Sequence, residues 1–328
     1  MERKLPGKSS ANGFSTKAKR KQGMKAIIDL GTNTFHLLLA GLDANNRIIE
    51  HHKLQLPVKL GEGGINKQVI QPEPYKRGLA AIGDIKAILS KHECDEVFAF
   101  ATSAIRSAQN GNEFVMEVKE KFDIDVKVIS GDEEAELIYN GVKHAIKLTE
   151  EKVLIMDIGG GSVEFVIANE KEIFWKESFP IGAARLIDRF HTEDPITEDD
   201  QRHLKHFFDK ELLPLRLAMQ QYKISTLIGS AGSFESVVDL VENFFEKKLH
   251  FNTSCQISIP EFKVINHVLV NSSKQERLEM PGLASFRVEM IVVASIMTNY
   301  VIDQFNISKL YCSDFSLKEG ILFRIFNL

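Results

Sequence analysis

No two cysteines in this 328-residue sequence stand near each other: Cys94, Cys255 and Cys312 are the only three, and no Cys-x-x-Cys occurs. That spacing excludes a disulfide framework and a cysteine-ligated zinc site, and it points to buried thiols in a reducing cytoplasm. Long hydrophobic runs are also missing. The longest, Met290 to Ile302, is interrupted by Ser295, Thr298 and Asn299; it is too short to span a bilayer and reads as a buried helix, so no membrane association is expected. An excess of positive charge is missing as well. The net charge of −4 argues against a general nucleic-acid binder and confines any polyanion site to a local basic patch. Residues 1–23 hold seven Lys or Arg and one Glu but no apolar core for a signal peptide. They are expected to form a disordered basic arm.

What is present is organised around Val153 to Ala168, V-L-I-M-D-I-G-G-G-S-V-E-F-V-I-A. Two β-branched runs of strand length joined by glycines predict a hairpin, with Gly159, Gly160 and Gly161 supplying a φ > 0 turn. Their bared N–H groups, with Ser162 beside them, would form a concave anion site. Asp157 enters this turn and Glu164 leaves it. Carboxylates beside a phosphate repel it unless a cation intervenes, so the pattern implies Mg²⁺.

A second copy lies upstream. Lys25 to Ala40 reads K-A-I-I-D-L-G-T-N-T-F-H-L-L-L-A, and at one constant offset Asp29 matches Asp157, Gly31 matches Gly159 and Thr34 matches Ser162. Thr32 and Asn33 replace two glycines and add polar donors. An aligned pair of such turns predicts two related half-structures facing one ligand, and the chain is long enough for two domains.

Between the copies, the patterns predict a strand over 48–60, a glycine loop after Lys59, a helix over 75–91 and a strand over 97–101. The strand leads to Thr102 or Ser103 as N-cap, with Arg106 one turn in, where an arginine can grip phosphate bidentately. A helix over 112–121 and a strand over 126–129 follow. Next come four acids in five residues, Asp132, Glu133, Glu134 and Glu136, at a helix start that favours negative charge. One of them could point into the cleft, and the residues alone do not choose between Glu133 and Glu134. Downstream, the same alternation predicts a strand over 173–179, one long helix over 198–221, and a strand over 224–228. The last of these runs into a third glycine-serine turn, Gly229 to Ser233. His203 and His206 on the long helix read as a solvated face. A helix over 286–303, a strand over 309–312 and a closing helix from Leu317 complete the chain.

Six segments together carry a resemblance: A-I-I-D-L-G-T-N-T-F-H-L (26–37), L-G-E-G (60–63), A-T-S-A-I-R (101–106), I-S-G-D-E-E-A-E-L-I-Y (129–139), D-I-G-G-G-S-V-E-F (157–165) and S-D-F-S-L-K-E-G-I-L (313–322). In this order they resemble the exopolyphosphatase and guanosine pentaphosphate phosphohydrolase family, of the superfamily that includes sugar kinases, actin and the seventy-kilodalton heat-shock chaperones. The resemblance implies an α/β fold of two ribonuclease-H-like domains with an interdomain cleft. The domains would be residues 24–130 and 131–310, with 311–328 packing back towards the first. It implies hydrolysis of the terminal phosphate of polyphosphate or guanosine pentaphosphate, in the cytoplasm. It selects Glu134 as catalytic base and Arg106 as a phosphate ligand beside the two loops, Gly31 to Thr34 and Gly159 to Ser162. Asp29, Asp157 and Glu164 become the metal-site acids for Mg²⁺, with K⁺ as a candidate second ion and a homodimer as a candidate assembly. The Gly229 to Ser233 turn departs from the family's G-T-G-G-T, and Arg287-Val288-Glu289 from its R-A-D, which weakens a nucleoside role there. The alternatives are an ATP-dependent small-molecule kinase, disfavoured by that turn, and a non-catalytic nucleotide or polyphosphate sensor, disfavoured by the retained Glu134.

Overall fold

The computed structural model describes residues 23–230 and 232–328. The basic arm lies outside the described residues except for Gly23. In chain order the first lobe contains β1 (Lys25–Leu30), β2 (Thr34–Leu42), β3 (Ile48–Pro57), α1 (Pro72–Leu89), β4 (Glu96–Ala101), α2 (Ser103–Ser107), α3 (Gly111–Phe122) and β5 (Val126–Val128). Helix α4 (Gly131–Ala145) leads into β6 (Val153–Ile158), β7 (Val163–Ala168), β8 (Ile173–Phe179), α5 (Ala183–Phe190), α6 (Glu198–Glu211), α7 (Leu213–Gln221) and β9 (Thr226–Ser230). Then come α8 (Gly232–Phe244), β10 (Ser254–Ile257), α9 (Ile259–Asn271), α10 (Lys274–Glu279), α11 (Met290–Gln304), β11 (Lys309–Ser313) and α12 (Leu317–Phe326).

The sheet orders, β3-β2-β1-β4-β5 and β10-β11-β9-β6-β7-β8, contain the same motif twice. In each, a central hairpin (β1–β2, β6–β7) is flanked by an antiparallel third strand and by a parallel strand on the other side. Side chains alternate between two faces along these strands. Ala26 and Ile28 pack beneath the first sheet with α1 and α3, and Leu154 and Met156 join a larger core with α5 to α9 and α11. The intervening Ile27 and Ile155 face a third core, shared by both sheets and built around α4 and α12. These two helices therefore fill the space between the lobes.

Their crossing depends on glycine. A Cβ on Gly320 would collide with the Leu137 carbonyl oxygen and stand 3.0 Å from Gly141 N, and one on Gly141 would run into the Ser316 carbonyl. Asn140 Nδ2 also donates to Gly320 O at 2.9 Å. Alanine is the better helix former, yet Gly320→Ala is expected to destabilise the protein by about 2 kcal/mol or more, because the backbones must separate. Urea unfolding would check this; a stabilised variant would show that the contact is loose.

Several element boundaries differ from the sequence pattern: β3 stops at Pro57, α1 spans Pro72–Leu89, and β9 takes in Gly229 and Ser230 of the expected third turn while α8 starts at Gly232. The expected helix over 198–221 is two helices, α6 and α7, that meet at Leu212. Pro214 lies in the first turn of α7, where its missing N–H and its ring prevent α6 from continuing. The expected helix over 286–303 starts at Met290, after a 3₁₀ turn at Ser285–Arg287. The three cysteines are free; Cys255 and Cys312 are buried, whereas Cys94 is half-buried. Among the described residues no helix is long and apolar enough to cross a membrane.

Candidate active site

The two hairpin turns meet at the floor of a cleft of ≈ 180 Å³ lined by both lobes. In the first, Gly31 N donates to Thr34 O at 3.1 Å, while the carbonyls of Thr32 and Asn33 accept from Gly61 N and from Val58 N and Lys59 N. In the second, the carbonyls of Gly159, Gly160 and Gly161 accept from Ala183 N (2.9 Å), Ala184 N (2.8 Å) and Arg185 Nε (2.8 Å). A trans peptide aims its N–H opposite to its C=O. With the carbonyls drawn towards α5, the N–H groups of Gly160, Gly161 and Ser162 are turned away from those acceptors, the orientation an anion nest would use.

The reason for glycine here differs from the sequence reading. Only Gly63 and Gly282 have positive φ among the described glycines, so Gly159, Gly160 and Gly161 do not supply a left-handed turn. They allow close approach. A Cβ on Gly161 would lie 2.6 Å from Ser103 Oγ and 2.7 Å from Thr32 Oγ1, and one on Gly160 would strike the Asn33 amide. The two loops therefore touch across the cleft.

Strand register places the acids. Asp157 pairs with Glu164 across β6–β7, so both side chains leave on one face, and Asp29 occupies the equivalent place on β1 opposite His36. Glu164 is 1% exposed and accepts from Ser178 Oγ at 2.7 Å. Helix phase settles which acid of α4 turns inward. Glu134 is 7% exposed and lines the cleft, whereas Glu133 points away to Lys127 (2.6 Å) and Arg324 (3.4 Å). Ser130 caps the helix by accepting from Glu133 N at 3.1 Å.

Four carboxyl groups thus share one cavity. Burial, then the neighbouring Glu134, push Asp29 up to about 7; burial and Glu134 do the same for Asp157, also to about 7, against a hydrogen bond from Ser230. Burial, Glu134 and Asp157 hold Glu164 well above the carboxylate range. Burial also raises Glu134, and Arg106 pulls it back. One oxygen, Asp29 Oδ1, is buried without a hydrogen-bond partner. This is a hard-oxygen donor set with a free lone pair. Among the described residues no three Asp, Glu, His or Cys are grouped closely enough to hold a metal ion between them; that includes Asp29, Asp157 and Glu164 taken together, and His203 and His206 take no part in such a group.

Several expected residues have particular partners. Thr102 is the N-cap of α2 but makes no side-chain cap bond. Arg106 Nη1 donates to Glu134 Oε2 at 2.8 Å and to Ile129 O at 3.0 Å, so it grips the acid at the start of α4. Lys59 meets Glu289 of the other lobe at 3.0 Å. At the third turn, Gly232 backs onto Arg287, whose guanidinium carbon would be 3.2 Å from a Cβ there, and Arg287 pairs with Glu235 at 3.2 Å.

The residue-by-residue reading missed Lys318, His36 and Arg185. Lys318 is 6% exposed, lines the cleft and pairs with Glu319 at 3.1 Å. Burial opposes its charge, but Glu319, Glu235 and Asp29 more than offset that and keep it protonated. A Lys-Glu pair inside the apolar segment Leu317 to Leu322 was the available signal. His36, 3.0 Å from Thr34 Oγ1, is kept neutral by burial and by Lys318, Arg287 and Lys53.

The model of the Ppx/GppA phosphatase family matches residues 45–327. A Haemophilus influenzae protein that carries an exopolyphosphatase name is 26% identical over 300 residues, covering 92% of this chain and 90% of that protein. The crystal structure of an exopolyphosphatase from Cytophaga hutchinsonii is 39% identical with a TM-score of 0.89, covering 93% of this chain and 98% of that one. The PPX-GPPA enzyme of Aquifex aeolicus, at 24% identity and a TM-score of 0.74, covers 92% of this chain and 98% of its own and shares the fold. The architecture is α/β with two actin-like, ribonuclease-H-like domains.

Proposed function

The chain belongs to the Ppx/GppA phosphatase family, and from that premise we propose that it releases terminal phosphate from inorganic polyphosphate, from guanosine pentaphosphate, or from both. It is a phosphoanhydride hydrolase. The observation that carries the reading is the pair of touching turns, one with three carbonyls drawn towards α5, above acids that include Glu134. The turns and Arg106 hold the terminal phosphate. Glu134 takes a proton from water as its oxygen attacks phosphorus, and the bond to the bridging oxygen breaks, leaving a chain one phosphate shorter and inorganic phosphate. A base whose pKa is raised by burial is suited to that proton transfer near neutral pH.

One or two of Asp157, Glu164 and Asp29 would hold Mg²⁺. Their hard oxygens and the unpartnered Asp29 Oδ1 fit that ion, and phosphate oxygens and water would complete a shell that the protein does not close alone. When bound, Mg²⁺ neutralises charge on the phosphate oxygens.

Arg287 lies across Gly232 at the third turn and is held by Glu235, so a nucleoside finds that corner filled. Long-chain polyphosphate is therefore expected to show a kcat/KM at least about tenfold above that of ATP, equivalent to about 1.4 kcal/mol of transition-state binding. Phosphate release from polyphosphate, guanosine pentaphosphate and ATP, measured side by side with Mg²⁺ and with excess EDTA, tests the reading. Preference for ATP would favour the kinase-like alternative, and full activity in EDTA would remove the metal.

A further inference from the structure

We propose that Arg185 is a positioning residue that sets the second phosphate loop only when the two lobes are together. Its guanidinium is spent on three acceptors from different parts of the chain. Nε donates to Gly161 O of the loop at 2.8 Å; Nη1 donates to Ile65 O at 2.7 Å and Nη2 to Ser107 Oγ at 3.1 Å, both in the first lobe. The residue is 9% exposed. Its own carbonyl accepts from Asn66 Nδ2 at 3.2 Å, and Asn66 also donates to Asp188 Oδ2 at 2.8 Å. Among the described residues no carboxylate lies within ion-pairing distance of it, although Lys and Arg side chains pair with carboxylates at many other places, Arg106 with Glu134 among them. Carbonyls and one hydroxyl are its partners.

Two consequences follow from this geometry. The bond to Gly161 O fixes the plane of the Gly161–Ser162 peptide, and with it the direction of Ser162 N–H, which is opposite to the held carbonyl. Opening the lobes removes two of the three acceptors and puts water in their place, so Arg185 is left with the single bond to Gly161 O, which no longer fixes its side chain. The loop peptide then loses its anchor together with the interlobe contact. Arginine's planar fork suits three acceptors at once, whereas a lysine ammonium on a flexible stem cannot match that spread. The unpaired positive charge also adds attraction for a phosphate held in the loop.

The inference rests on the phosphate reading of the cleft, so its test has a readout that does not need turnover. Arg185→Lys and Ser107→Ala would be compared with the parent for kcat and KM on polyphosphate, and for amide hydrogen exchange in peptides covering 159–166. Arg185→Lys is expected to lower kcat about 10²-fold, the usual effect of misplacing reacting groups by an ångström, with KM changed only a few-fold and exchange at 160–162 faster. Ser107→Ala, which removes one first-lobe acceptor and leaves Gly161 untouched, should move both readouts in the same direction by less, and it keeps the test valid if the lysine variant does not fold. Parental kcat and parental exchange in both variants would overturn the proposal. So would a fall in kcat per folded molecule with exchange at 160–162 unchanged. If the parent released no phosphate from any substrate, the phosphate reading would fail, while the exchange comparison would still decide the role of Arg185.

Discussion

Glu134→Gln is expected to lower kcat about 10²–10⁴-fold, the range for a positioned general base, with polyphosphate binding retained. The amide keeps the shape of the carboxyl group, and its carbonyl oxygen can still accept from Arg106 Nη1, now at 2.8 Å from Glu134 Oε2. Ser130 continues to cap α4, because its bond is to Glu133 N. What is lost is the ability to take a proton. Removing a negative charge from a cavity shared with Asp29, Asp157 and Glu164 should, if anything, ease binding of a polyanion. KM is therefore expected to stay level or fall while kcat collapses, the pattern of a group that acts in the transition state. Steady-state kinetics on long-chain polyphosphate and calorimetric binding to the variant check both halves. A parental rate would mean that another group accepts the proton.

The parts of this site that were readable in the sequence are those fixed by local register. Asp29, Asp157 and Glu164 lie at strand ends whose alternation is plain in the residues, and the structure brings all three into one cleft. The choice between Glu133 and Glu134 needed more, because adjacent helical positions are about 100° apart and only packing shows which one turns inward. Family resemblance chose Glu134, and helix phase places it in the cleft and Glu133 beside Lys127 and Arg324. Glycine was read through its freedom of φ, yet at Gly160 and Gly161 the governing fact is a contact with Asn33, Thr32 and Ser103, far away in sequence. Arg185 was hidden for the same reason: it is a charged residue in a helical stretch, and its burial is decided by Ile65 and Ser107 of the other lobe, which no local pattern announces. Lys318 did carry a local signal, a Lys-Glu pair inside an apolar segment, but not the cleft it lines.

Asp157→Asn is expected to abolish most turnover, by about 10²-fold or more, while making the metal-free protein more stable. The first half follows from the proposed ion site: an amide is a weaker, neutral ligand, and charge on the phosphate oxygens would go uncompensated. The second follows from crowding. Burial and Glu134 raise Asp157 from 3.8 to about 7, so the folded state resists the charged form that the unfolded chain accepts freely. The sign is fixed by linkage: between about pH 4 and 7 the folded state binds more protons than the unfolded state, so stability falls as pH rises through that window and levels off above it. Asparagine carries no charge to resist. Metal-free melting should therefore show the parent losing stability from pH 5 to 7.5, and the variant losing less and melting higher at pH 7.5. Mg²⁺ reverses the order, because an ion bound only by the folded state stabilises it by mass action. Added Mg²⁺ should raise the parent's melting temperature and leave the variant's nearly unchanged, without any need for substrate. A variant that melted lower than the parent in EDTA at pH 7.5, or that responded equally to Mg²⁺, would show that Asp157 is a structural acid held by Ser230.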